Sequence, residues 1–350
     1  MSRFFSPKYD QLTPYTPGEQ PRDQQYIKLN TNESPFPPSP RAQMYAKKAA
    51  EGLQLYSDPT CRALTARAAE MLGVEEEEIL FTNGSDEILN FAFMAFCDGN
   101  TGAAFPDITY GFYEVFAQLN AVPYEKIPLK DDFSIDVNDY IGLNKTIFIA
   151  NPNAPTGLIL PLSDIERILA GNPDNIVVID EAYVDFGGES AVSLIHKYEN
   201  LLVTQTFSKS RSMAGARLGF GVGCKALIRD LNTIKYSTNP YNVNAMTMAA
   251  GLGALEDENY FRDNCRKICE NRAWTADALE KLGFSVIPSG TNFLFVRHEH
   301  KDGGWLYRTL KEKGILVRHF TAPRLNDYNR ITIGSKGQME ALIHTLEEIL

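Results

Sequence analysis

Long apolar runs are missing from this chain: no stretch approaches the roughly 20 consecutive apolar residues that a membrane-spanning helix needs. Cysteine is scarce too. The five cysteines are an odd number without a Cys-x-x-Cys pair, which argues against a disulfide framework and against the usual zinc spacings. Of the five histidines only His298 and His300 stand close together, and no ligand set can be assembled around them, so no metal is expected. Positive charge is in deficit, with 34 Lys and Arg against 44 Asp and Glu and a net charge of −10. Long-range repulsion then opposes binding to nucleic acid or to an anionic membrane, and any anionic ligand must be held by local donors. The opening residues Met1 to Gln11 lack the apolar stretch of a secretory signal. Together these absences point to a soluble protein of the reducing cytoplasm.

What is present is ordinary globular material, 44% hydrophobic and 22% charged, in a chain of 350 residues, longer than one core usually supports. The first forty residues, rich in Pro, Tyr, Asn and Gln, show no sustained period and are expected to form an extended arm of the kind that reaches a partner subunit. Asp58 as a cap, Pro59 at the first helical position, an apolar face of Leu64, Ala68, Met71 and Leu72, and Gly73 as the stop predict a helix. Ser163 and Glu166 form a capping-box pattern ahead of Ile165, Ile168 and Leu169, with Gly171 ending that helix. The acidic run Glu75 to Glu78 is expected to be a solvated surface between a helix and a strand. Short β-branched runs at Ile79–Phe81, Thr146–Ala150, Ile176–Ile179 and Leu201–Thr204 alternate with such helices, which predicts an α/β domain with a largely parallel sheet. After about residue 250 the pattern changes. A long helical stretch from Asn259 to Leu282 precedes strand-like Thr291–Val296 and Ile315–Arg318, and a closing helix is capped by Ser335 and Gln338. This is the composition of a second, smaller α+β domain.

In open α/β sheets ligands bind beyond the carboxyl ends of the strands, so the residues that follow each predicted strand carry the most information. After Phe81 comes Thr82-Asn83-Gly84-Ser85-Asp86, a turn into a helix whose free N–H groups and dipole suit a phosphate, although such turns also serve as plain caps. After Ala150 comes Asn151-Pro152-Asn153-Ala154-Pro155-Thr156-Gly157, by itself only a turn. After Ile179 stand Asp180, Glu181, Ala182 and Tyr183; the aspartate is either a functional carboxylate or the cap of the next helix. After Thr204 come Thr206, Phe207, Ser208 and Lys209, with Arg217 eight residues further on. A lone lysine is usually solvated surface. Here it stands among hydroxyls at a strand end, where partial desolvation favours a neutral, nucleophilic amine and Thr206, Ser208 and Arg217 supply anchors for a phosphate. A lysine for an aldehyde, donors for a phosphate and an aspartate for a pyridine nitrogen are what pyridoxal phosphate requires.

With those residues in place the sequence resembles the fold-type-I aminotransferases of class II and, within them, the family acting on histidinol phosphate. The resemblance runs from Tyr15 to Arg330. Its most specific pieces are Leu12-Thr13-Pro14-Tyr15 and Leu29-Asn30-Thr31-Asn32-Glu33-Ser34-Pro35. It implies a large pyridoxal-phosphate domain over residues 42–250, with a mostly parallel seven-stranded sheet flanked by helices. Residues 251–350 would form the smaller domain, and residues 1–41 an arm that contributes part of it. It also implies that Lys209 carries the cofactor as a Schiff base, that Asp180 pairs with the pyridine nitrogen, that Tyr183 bonds the phenolic oxygen and that Tyr110 stacks on the ring. The phosphate would be held by the backbone at Ser85 and Asp86, by Thr206, Ser208 and Arg217, and by Tyr56 from the other subunit of a homodimer. Arg330 would bind the substrate's carboxylate or phosphate, with Tyr15, Asn32 and Arg318 as further substrate contacts.

One position departs from the family. Its loop usually has paired asparagines where this chain has Asn153-Ala154, and the second of the pair is the one that bonds the phenolic oxygen. Asn153 or a water is then the candidate replacement, and Tyr183 carries more of the task. Rival readings are available. Aromatic aminotransferases and threonine-phosphate decarboxylases share the scaffold, because fold and cofactor do not set the reaction. Gly221-Val222-Gly223-Cys224-Lys225-Ala226 matches a loose dinucleotide fingerprint, but no acidic residue clearly ends a second strand about 20 residues later. A non-catalytic relative that keeps the fold is disfavoured by the presence of both Lys209 and Asp180.

Overall fold

The strands of the main sheet are apolar on both faces, and this requires helices on both sides. In a computed structural model that describes residues 2–10 and 12–350, with Met1 and Gln11 outside the description, the seven strands lie in the order Ile79–Thr82, Gly219–Gly223, Leu201–Thr206, Val177–Asp180, Thr146–Ala150, Ala103–Pro106 and Tyr124–Ile127. Only Gly219–Gly223 runs against its neighbours; the other pairings are parallel. The side-chain alternation of the inner strands divides two cores. Ile147, Ile149, Val177, Ile179, Leu201 and Val203 face the helices Arg62–Leu72 and Leu162–Gly171, while Phe148, Val178 and Leu202 face Ser85–Phe96, Phe112–Leu119 and Lys225–Thr238. Phe148 stacks on Phe93 at 4.1 Å between ring centres. The sheet is therefore the mostly parallel seven-stranded one implied above.

Past residue 256 the chain forms the long helix Glu258–Lys281 and an antiparallel sheet of Arg318–His319, Asn329–Thr332, Phe293–His298 and Phe284–Ile287. The helix Lys336–Ile349 closes it through the expected Ser335–Gln338 capping box. The run Ile315–Arg318, expected as one strand, is split. Ile315–Leu316 pairs in parallel with Ile27–Lys28, whereas Arg318–His319 pairs with Asn329–Thr332. The arm is thereby stitched into the C-terminal half of the chain. Earlier, its segment around Tyr15 lies on the helix Phe112–Leu119, with the Tyr15 ring 4.3 Å from that of Phe112.

Three local expectations need correcting. The helix ending at Gly73 starts at Arg62 rather than Pro59: Asp58 spends its carboxylate on the N–H groups of Thr60 and Arg62, and the left-handed Cys61 separates it from the helix. Ser163 and Glu166 form no capping box, because the helix begins two residues earlier, after Pro161, and Glu166 instead bonds Lys197 and Tyr198. The acidic run is not wholly solvated either. Glu78 is buried, accepting from the Glu75 N–H and meeting His196 at 3.0 Å. The glycines of the loose dinucleotide fingerprint lie inside the antiparallel strand Gly219–Gly223, not in a phosphate-binding turn.

Phe148 offers a direct test of the two-sided core. Phe148→Ala opens a void against Phe93 in a site that cannot collapse, and a loss of about 3–5 kcal/mol is expected. The check is the urea midpoint of the purified variant followed by circular dichroism.

Candidate active site

The carboxyl ends of the strands Thr146–Ala150, Val177–Asp180 and Leu201–Thr206 converge on a cavity of about 180 Å³ that also receives Ser85, Asp86, Tyr110, Tyr183, Ser208, Lys209 and Arg217. All of these residues except Ala150 were singled out from sequence alone. Thr31 and Glu33 line it as well, which brings the arm motif into the same space.

One end of the cavity is built for an anion. Gly84 holds φ at +82° and is followed by the helix Ser85–Phe96, whose first N–H groups have no partner within the helix. A Cβ at Gly84 would come within 2.6 Å of the Arg217 guanidinium, and one at Gly219 within 2.3 Å of the Ser85 nitrogen. Both glycines are required by close approach. The Arg217 guanidinium donates to Asp86 at 2.9 Å and to Ser208 Oγ at 3.4 Å, and Ser208 Oγ lies 3.0 Å from Thr206 Oγ1. A helix terminus, an arginine and two hydroxyls around a glycine floor form a cradle for a phosphate.

The floor beyond the cradle is acidic and buried. Asp180 ends its strand fully enclosed, and burial pushes its carboxyl up to about 6 against hydrogen bonds that oppose the shift, from Tyr113 and from the Ala182 N–H. Tyr113 donates to it at 3.0 Å and is itself raised well above the usual tyrosine range, by burial first and the Asp180 charge second. Asp180 accepts a local bond from the Ala182 N–H without capping the next helical turn, and it lines the cavity. A buried carboxylate of this kind is stabilised when a cation is placed beside it.

Tyr110 borders the same space, its hydroxyl 2.7 Å from Asp86 and its ring edge-on to Tyr113. Lys209 Nζ lies 5.7 Å from the Tyr183 ring centre, while the hydroxyl of the adjacent Ser210 donates to Asp185 and fixes the lysine's loop. Glu33 feels the same lysine. Burial drives its carboxyl up, but hydrogen bonds from Lys28 and Thr31 and the charges of Lys28 and Lys209 outweigh this and hold it below the usual range.

Arg330, on the strand Asn329–Thr332, does not line the cavity but senses Tyr183, which does, and burial lowers its affinity for its proton. One of its terminal nitrogens donates to the Asn30 carbonyl at 3.2 Å, and its Nε has no partner among the described residues. Its guanidinium lies over the rings of Phe293 and Phe320, and Arg318 is its direct cross-strand neighbour. An unspent guanidinium donor held in an apolar frame is an anion-binding arrangement.

Three expected contacts are absent from this cavity's lining, one of them, Tyr56, as its expected place in the other subunit's site requires. Asn153 does not border the cavity: its amide is used by Thr109, Ile108 and Thr156, and it faces a different hollow near Leu129 and Phe133. Ala154 lines the cavity in its place. Tyr56 is 84% exposed and stacks on Tyr241, remote from this chain's own cavity. Asn32 is buried and spends its amide on Tyr183, at 2.8 Å. Two participants were missed. Tyr113, three residues after Tyr110, signals itself only through the need of a buried carboxylate for a donor, and Glu33 only through its place in the arm motif.

Comparison with known proteins agrees with this geometry. Residues 24–346 match the family described as aminotransferase class I and II. A histidinol-phosphate aminotransferase from Brachyspira hyodysenteriae is 49% identical, covering 100% of this chain and 99% of that protein. The one from Marinomonas sp. is also 49% identical, with 100% of both chains covered. Among solved structures, the histidinol-phosphate aminotransferase of Sinorhizobium meliloti, determined in complex with pyridoxal-5'-phosphate, shares the fold with a TM-score of 0.86 at 23% identity, covering 100% of this chain and 99% of that one. The chain belongs to the class I and II aminotransferases, enzymes that work with pyridoxal phosphate.

The raised Asp180 carboxyl has a thermodynamic consequence in the cofactor-free protein. The folded state keeps this proton up to about pH 6, whereas the unfolded chain releases it near 3.8, so the group subtracts stability as pH rises through that window. Asp180→Asn is therefore expected to stabilise the cofactor-free protein at pH 7.5, by on the order of 2 kcal/mol. The gain should vanish below about pH 4, which thermal melts of both proteins across pH will show.

Proposed function

We propose that this chain exchanges an amino group between L-histidinol phosphate and 2-oxoglutarate, giving imidazole acetol phosphate and L-glutamate, as an enzyme of histidine biosynthesis in the cytoplasm. The observation that carries the substrate assignment is identity of nearly half the positions, end to end, with proteins named for that reaction. The site supports the chemistry. Pyridoxal phosphate, when bound, supplies an electron sink for the bond broken at the substrate α-carbon and a carrier for the amino group between two half-reactions.

The residues present fit that group, on the evidence of the glycine-floored cradle, the buried carboxylate and the lysine between them. In this reading the cradle of Ser85, Asp86 backbone, Thr206, Ser208 and Arg217 holds the phosphate, and Tyr110 covers the ring. Asp180 keeps a proton on the pyridine nitrogen, where its own burial makes an ion pair favourable. Tyr183 donates to the phenolic oxygen. Lys209 would hold the cofactor's aldehyde, and its amine, when free, would take the proton from the substrate α-carbon. Arg330 binds the substrate's acidic group, with Tyr15 and Arg318 beside it. Charge spread over two neighbouring arginines suits the dianionic phosphate of the proposed substrate better than a lone carboxylate.

Residues 42–250 act in this proposal as the cofactor domain, and residues 251–350 with the arm as its cap. The active unit is a homodimer. Leu53, Leu55 and Tyr56 are exposed by 53%, 71% and 84%, a cluster of apolar surface that a monomer has no reason to keep. A second copy would cover it and bring Tyr56 to the neighbouring cradle.

Four outcomes are expected. Mixed with the cofactor-loaded protein, L-histidinol phosphate should convert the cofactor rapidly to its amine form, while threonine phosphate and phenylalanine react slowly; preference for either of those amines would overturn the substrate assignment. Lys209→Ala should slow this half-reaction by at least about 10²–10⁴-fold, and Arg217→Ala should weaken cofactor retention about 10–100-fold. Sedimentation should give a dimer, and a fully active monomer would remove the role given to Tyr56.

A further inference from the structure

Ala154 leaves a gap where a side-chain donor would face the cavity, and the structure supplies an indirect replacement from the arm. Asn32 is buried, with its backbone in the left-handed region at φ 55°, and it is bonded on every side. Its N–H donates to Thr332 Oγ1 at 2.9 Å, and that hydroxyl donates back to Asn32 Oδ1 at 3.1 Å. Its carbonyl accepts from the Asn292 amide at 3.0 Å. With Oδ1 occupied by the threonine, the amide is oriented, and its Nδ2 donates to the Tyr183 hydroxyl at 2.8 Å. The direction of each bond follows from its partner. Thr332 must donate because it already accepts, Asn32 must present its NH₂ to Tyr183, and the Tyr183 oxygen, having accepted, keeps its own proton free to give.

We propose that Asn32 is a positioning residue: it locks the Tyr183 hydroxyl as a donor toward the cavity and, by polarising it, compensates for the side chain lacking at Ala154. This rests on the pyridoxal-phosphate reading above. A donor strengthened by accepting a bond of its own shares its proton more fully, so one tyrosine does part of the work of two donors. The charged and titratable groups around Tyr183 are Lys209, 5.7 Å from its ring, Asp180 and Glu33, which line the same cavity, and Arg330, which senses its charge. None of them lies on the Asn32 side chain, so removing that side chain leaves these charges unaltered.

The arrangement also ties the two halves of the site together. Thr332 is two residues from Arg330 on one strand and therefore on the same face of the sheet. Anion capture at Arg330 and donor strength at Tyr183 are in this way mounted on a common element.

The test is the pH midpoint of the visible absorbance change of the cofactor-loaded protein. Donors to the ring oxygen stabilise its negative charge and so weaken its hold on the neighbouring proton at Lys209, and losing one raises the midpoint. Asn32→Gly is the suitable variant, because glycine accepts the left-handed backbone and keeps both main-chain bonds. Its midpoint should rise by about half a pH unit or more, while Tyr183→Phe raises it further. In the Tyr183→Phe background Asn32→Gly should add nothing, since the two act through one hydroxyl. Ala154→Asn, which restores a donor, should bring the Asn32→Gly midpoint back toward wild type. An unmoved midpoint in Asn32→Gly, or a shift that persists undiminished in Tyr183→Phe, overturns the inference alone. Absence of any visible band in the wild-type protein overturns the cofactor reading together with it.

Discussion

A carboxylate taken out of water at the end of a sheet strand is costly unless something charged or hydrogen-bonded meets it, and the site is organised around that cost. Asp180 is enclosed because its strand is buried on both faces, and its carboxylate is open only toward the cavity. Tyr113 and the Ala182 N–H offset part of the penalty. What remains is an unsatisfied demand for a cation on the cavity side, and in the proposed reading the protonated nitrogen of a pyridine ring would answer it. The same enclosure that destabilises the empty site would then give the occupied one its ion pair. The cradle at Ser85 and Arg217 would fix where the ring can lie relative to that carboxylate.

Much of this was legible in the sequence because it sits at strand ends. Buried parallel strands announce themselves as short β-branched runs, and the residues that follow each one are fixed in space by the sheet, so Ser85, Asp180, Thr206, Lys209 and Arg217 could be gathered without coordinates. The fold class followed from the same alternation. What was not legible depends on long-range contact. Tyr113 is an ordinary helical aromatic until Asp180 is seen beneath it. Asn153 and Ala154 look interchangeable in a Pro-rich loop, yet one faces Thr109 and the other the cavity. Helix starts were misjudged where side chains that could cap had better partners: Glu166 is drawn to Lys197 and Tyr198, and Asp58 caps a turn rather than the helix.

The arm shows how little local pattern a functional segment can carry. Residues 27–34 have no period of their own, since their order comes from pairing with Ile315–Leu316 and from the bonds of Asn30 and Asn32 to the strand Asn329–Thr332. The arm buries Leu29 in the smaller domain's core, but most of its order comes from bonding, and bonding of that kind leaves no hydrophobic period in the sequence.

That pairing also sets the range, along the chain, of the contacts that build the site. Asn32 and Thr332 are 300 residues apart in the chain, as are Asn30 and Arg330. The strands between Ile79 and Gly223 all precede in the chain the segments Ile315–Leu316 and Asn329–Thr332 that hold residues 27–32 of the arm. In the proposed reading the cradle is therefore built from contacts of short and middle range, and the substrate-binding half from contacts that span almost the whole chain. Non-local closure of this sort is slow.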